Sequence, residues 1–166
     1  LVFDEVYHSQ HLAETCVREV LLKCIEREGK QLPEELAGAS NKALSQWCYG
    51  SEDADNPKPR VRLPEIAVGS PEAKELQQRF REANIPYRYQ PHEVVEGIKV
   101  VRRLICDGQG VRTLQVNRRC RNFVAEMTEG YQYPKDGTRG DSEKPLDGND
   151  HAADGFRYWA WLRARR

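Results

Sequence analysis

EIAVGSPEAKELQQRFREANIPYRYQ, residues 65–90, is the stretch that sets the fold class. EIAVG is a short apolar run of strand character. In the SPEAKEL that follows, Ser70 can cap a helix, Pro71 suits its first position, and acids in the first turn oppose the positive end of the helix dipole. Ala73, Leu76, Phe80 and Ala83 recur at helical spacing and form its buried stripe. Asn84 ends the helix, and IPYRYQ reads as a second strand. A strand, a helix and a further strand in immediate succession predict an α/β layer structure, with a central sheet covered by helices.

The alternation extends in both directions. Towards the C-terminus, Val94, Ile98, Val101, Leu104 and Ile105 mark a helix running up to Asp107. RTLQV (112–116) is expected to be the next strand, and Cys120, Phe123, Val124 and Met127 the next helical face. Residues 134–149 are polar and contain glycine, as a surface loop does, and a last helix begins near Asp150 and carries Phe156, Trp159 and Leu162. Towards the N-terminus, Leu12, Cys16, Val17, Val20, Leu21 and Cys24 predict a helix ending near Gly29. A short helix is expected around 41–48, then a charged, proline-rich surface loop over 51–64. The opening LVFDEVYH reads as a strand already under way, so the natural chain is expected to begin upstream. The expected core comprises Phe3, Leu21, Phe80, Ile98, Val101, Leu104, Leu114, Phe123 and Phe156.

At 166 residues, 39% of them hydrophobic, the chain has the size of one domain with one core. Its 26 basic and 26 acidic residues cancel, which excludes a uniformly basic nucleic-acid binder and leaves any phosphate contact to local clusters. Two such clusters are present: Lys99, Arg102 and Arg103 on one expected helix, and Arg118, Arg119 and Arg121 opening the next. Guanidinium and ammonium groups spaced along a face suit a phosphate backbone, although a solvated helix face has the same composition. The five cysteines contain no CxxC pair and fall mostly within apolar patterns, as reduced core thiols do in a cytosolic protein; Cys106 and Cys120 are among them. No apolar stretch approaches the roughly 20 residues that span a bilayer.

The sharpest chemical feature is DGNDHAADGFRYWAW (147–161). Asp150, His151 and Asp154 fall within its first turn, on neighbouring faces. Carboxylates so placed can hold Mg²⁺ or Mn²⁺, and a nearby imidazole can order water or assist proton transfer; equally, they can simply stabilise the helix dipole. His8 and His11 with Asp4, Glu5 and Glu14 form a weaker grouping of possible ligands, and Trp159 and Trp161 fit core packing better than base stacking.

In order, VFDEVYHSQ, IAVGSPEAKEL, NIPYRYQ, VVEGIKVVRRLI, RTLQVNRRCRNFVAEMTEGYQY and NDHAADGFRYW resemble the C-terminal nuclease domain of tailed-phage terminase large subunits. The last two blocks are the specific ones: a strand, a basic cysteine-containing helix ending in Glu and Tyr, a variable loop, and a closing DHxxDxxRY helix. The resemblance implies a ribonuclease-H-like mixed sheet flanked by helices, here a partial single domain over 1–166 that lacks its first strands. It implies metal-dependent cutting of double-stranded DNA during genome packaging, with Asp154 as metal ligand and catalytic acid. His151 would be its partner and Asp150 a second ligand or a cap. Two ions about 4 Å apart would clamp the scissile phosphate. The implied partners are double-stranded DNA, an ATPase domain in the full protein, the small terminase and the portal, in the host cytoplasm of a phage or prophage. Two departures matter. The first-strand acid lies outside the chain, and Gly69 stands where a second acid is usual, with Glu65 about 13 Å away at strand rise. The chain alone is therefore expected to be inactive, and a nuclease-dead DNA-binding or motor-docking module is the alternative. A recombinase of the same fold fits the terminal blocks less well.

Overall fold

The computed structural model describes residues 12–50, 61–130 and 150–164. The chain divides into two compact units, one formed by 8–67 and 71–88, the other by 1–7, 68–70 and 89–166. Each has its own core.

In the first unit, α1 (Ala13–Arg27) buries Val17, Leu21, Cys24 and Ile25 along one face. It stops at Gly29, whose φ of 66° is open to glycine without strain. The Gly29 N–H donates to Glu26 O and the Lys30 N–H to Ile25 O, closing the last turn. A 3₁₀ turn (Glu34–Leu36) follows, held to α1 by the Arg18 guanidinium, which donates to the carbonyls of Ala37 and, at 2.6 Å, Ala39. Next comes α2 (Asn41–Tyr49), where Ser40 Oγ accepts from the Ala43 N–H. α3 (Lys74–Glu82) packs against both helices. It begins later than its sequence suggests: Pro71 and Glu72 form a turn, and Ala73, with no capping side chain, precedes the first helical residue. Its end is as expected, because Asn84 takes a φ of 56° while the Ile85 N–H reaches back to Phe80 O. Residues 61–64, expected at the surface, are so only in part: Arg62 is exposed, but Val61 and Leu63 are buried in this core, and the Val61 N–H donates to Cys48 O at 2.8 Å. The other residues of that loop, 51–60, lie outside the described residues, as do 134–149, Phe3, and Asp4, Glu5, His8 and His11 of the grouping of possible ligands.

Among the described residues the sheet has two strands, β1 (Ala67–Val68) and β2 (Tyr87–Arg88), running parallel with α3 between them. The α/β description therefore holds in the coarse sense of a strand–helix–strand unit within a mostly helical chain. RTLQV does not form a strand beyond an isolated bridge at Val116. It folds back on the preceding helix instead, with the Thr113 and Leu114 N–H groups both donating to Leu104 O.

In the second unit, α4 (Val94–Ile105) packs along α6 (His151–Ala164). The short α5 (Arg121–Ala125) continues into a π turn (Glu126–Gly130). Val101, Cys120, Phe123, Phe156 and Ala160 make the core, with Leu104, Leu114 and Met127 packed against it. The Phe123 and Phe156 rings meet edge to face at 5.2 Å. Cys106, expected in the core, is exposed just past the end of α4. Trp159 is 39% exposed, yet stacks on Phe156.

Candidate functional site

The helix that should carry the chemistry is anchored from a distance in sequence. Glu126, buried in the π turn, accepts from the Ala152 and Ala153 N–H groups at 2.7 and 2.9 Å through one carboxylate oxygen. It satisfies amides that α6 leaves unpaired at its start, and its negative charge lies at the positive end of the helix dipole. Asp150 precedes this first turn, and its carbonyl accepts from the Asp154 N–H at 2.7 Å. Burial, and then the Asp154 charge, push the Asp150 carboxyl above the usual carboxylate range.

Asp154 itself faces Arg157. The guanidinium donates from Nε to Oδ1 at 3.1 Å and from Nη2 to Oδ2 at 2.8 Å, a two-point pairing that engages both carboxylate oxygens. Arg157 is only 4% exposed, so its charge is compensated within the protein. Its Nη1 lies 2.9 Å from His92 Nε2. The His92 ring stacks on Trp161 at 5.0 Å, meets the edge of Tyr158 at 5.4 Å, and places Nδ1 3.1 Å from Gln90 O. Gly97 makes room for this assembly, since a Cβ there would sit 2.7 Å from the imidazole and 2.8 Å from Arg157 Cγ.

Among the described residues, the side chains around the start of α6 are not arranged to hold a pair of divalent ions. His151 is exposed, both oxygens of Asp154 are held by a cation, and the described residues contain no group of three His, Cys, Asp or Glu side chains that could hold a metal. Gly69 belongs to the same compact unit as Asp154, and Glu65 to the other.

The basic residues occupy different settings. Lys99 pairs with Glu96 at 2.6 Å. Arg102 lines a cavity of about 180 Å³ together with Ile98, Val101, Ile105, Met127, Ala153 and Arg157. Arg103 is exposed on the same side of α4 as Lys99, by its four-residue spacing. Arg118, Arg119 and Arg121 are all exposed around Cys120, which is fully buried and so roots the turn that presents them. Among the described residues, the side chains of Arg103, Arg118, Arg119 and Arg121 have no ion-pair partner.

Sequence reasoning did not find Glu126, His92 or the role of Arg157. The Asp154–Arg157 spacing of three is visible in the sequence, but no local signal connects Glu126 or His92 with a helix that begins many residues later.

No known family model, no curated protein and no solved structure matches this chain.

Proposed function

We propose that this chain is a DNA-backbone-binding module of the terminase nuclease type that holds duplex DNA without cutting it. The observation that carries the reading is the set of exposed arginines with no ion-pair partner among the described residues, Arg103, Arg118, Arg119 and Arg121, in a chain whose 26 basic and 26 acidic residues cancel in total. A guanidinium not committed to a carboxylate is free to pair with phosphate and release condensed counterions. Lys99 and Arg102 extend the same surface of α4. The pairing of Asp154 with Arg157 supports binding without cleavage, because it engages the acid on which the terminase resemblance would centre a metal site. In the whole protein the module would act beside an ATPase domain, the small terminase and the portal, in the host cytoplasm.

One observation favours the cleaving reading, with Asp154, His151 and Asp150 serving Mg²⁺ or Mn²⁺: the Asp150 carboxyl lies close enough to Asp154 and Glu126 to feel both charges. Supercoiled plasmid separates the two. The binding reading predicts that the chain retards plasmid in a gel and leaves it supercoiled with Mg²⁺ or Mn²⁺ present. Metal-dependent nicking abolished by Asp154→Asn would replace it with the cleaving one.

A further inference from the structure

We propose that the cavity formed by α4, the π turn and α6 is a binding site for a small apolar carboxylate, one ring or a short hydrocarbon chain ending in a carboxylate group. Its volume of about 180 Å³ sets the size of the guest. An apolar cavity of roughly 150 Å³ holds one benzene, so a single ring has room here. The burial of the lining sets the orientation. Ile98, Val101 and Ala153 are buried and form the floor, Met127 is half-buried, and Ile105 is 41% exposed at the mouth. All of these residues belong to the second compact unit.

Five of the seven lining side chains are apolar and the other two are arginines, which decides what each end of the cavity takes. Water inside it finds few partners. The Ala153 N–H is taken by Glu126, and each of the three Arg157 nitrogens already has a partner in Asp154 or His92. A buried water needs about two to four such partners, so an apolar body displaces it favourably. Met127, unbranched and polarisable, adapts its thioether to the shape of the guest. Charge decides the other end. Among the described residues no carboxylate lines the cavity, whereas Arg102 lines it and is exposed, so the rim carries a cation that nothing in the lining opposes. An apolar body on the floor with its carboxylate towards Arg102 uses both parts of the lining, as neither a neutral hydrocarbon nor acetate does. The apolar floor has no use in a phosphate contact, and the site does not rest on the DNA-binding reading.

Methyl-resolved ¹H–¹³C spectra of the full chain, titrated with benzoate, test it. Benzoate should move the methyl signals of Ile98, Val101, Ile105, Met127 and Ala153 along one saturable curve, with a Kd of about 1 mM or below. Benzyl alcohol, a neutral molecule of the same size, should bind about 3–5-fold more weakly, and acetate should leave these signals in place. Arg102→Gln should remove the preference for benzoate over benzyl alcohol. Ala153→Leu, which fills the floor, should abolish the binding of both. The proposal is overturned by a benzoate titration that does not saturate, by shifts confined to methyls outside the cavity, or by acetate moving the same signals. Equal binding of the two aromatic probes by the wild type, a preference that survives Arg102→Gln, or undiminished binding by Ala153→Leu overturns it as well. Should Ala153→Leu fail to fold, the wild-type titrations and Arg102→Gln decide by themselves.

Discussion

Asp150 carries the clearest electrostatic cost among the described side chains. Its carboxyl is raised by burial and by Asp154, so the folded chain holds that proton more tightly than the unfolded chain does. The resulting penalty is absent at low pH, grows as pH rises from the ordinary carboxylate range through the raised value, and is complete above it. Asp150→Asn should accordingly raise the Tm at neutral pH and leave it unchanged near pH 3, as thermal melts at the two pH values will show. The thiols divide just as sharply. Burial, and then Cys24, push the Cys48 thiol up to about 11, which leaves it un-ionised and poorly nucleophilic at neutral pH. Cys24 and Cys120 are buried, whereas Cys106 is exposed. A maleimide followed by mass spectrometry should label Cys106 first, and Cys106→Ser should remove the fast phase.

At the scale of elements, the two glycines of α4 and α6 make opposite predictions. Gly97 lies where a Cβ would meet the His92 ring and Arg157, and Gly155 where it would meet nothing within 4 Å. Gly97→Ala should cost about 1–3 kcal/mol by overpacking, and Gly155→Ala should add about 0.5–1 kcal/mol through helix propensity. Urea unfolding of the two variants checks both signs. The helices were legible because each carries an apolar stripe with a 3.6-residue period: α1 and α4 bury most of theirs, whereas Leu76 and Phe80 of α3 are only partly buried and Trp159 of α6 is exposed. Where a cap and its partners depend on the turn, as at Pro71, the start moved. The strands were less legible. RTLQV alternates like a strand, but five residues cannot distinguish pairing in a sheet from an extended return across the end of α4. Of the candidate site, the first turn of α6 could be read from Asp150 to Asp154 with its dipole logic. The parts that define its chemistry could not, because Glu126 and His92 reach it by tertiary folding.

Across the whole molecule, a net charge of zero conceals an uneven distribution. Acids and bases neutralise each other in local pairs such as Arg79–Glu82, Lys99–Glu96 and Arg157–Asp154, while the turn around Cys120 presents three arginines outside any such pair among the described residues. No helix among the described residues is long and apolar enough to cross a membrane. A binder built this way should be weak and indifferent to sequence, with a Kd of about 10⁻⁴–10⁻⁶ M at physiological salt. The most direct test is the salt dependence of its affinity for two short duplexes of unrelated sequence, measured by fluorescence anisotropy for the wild type and for Arg118→Ala/Arg119→Ala/Arg121→Ala. The account predicts equal affinities for the two duplexes and, in the variant, weaker binding to both, with a log–log salt slope shallower by about 0.9 for every phosphate that the variant no longer neutralises. An unchanged affinity and slope in the variant would contradict it and return these arginines to the role of a solvated surface.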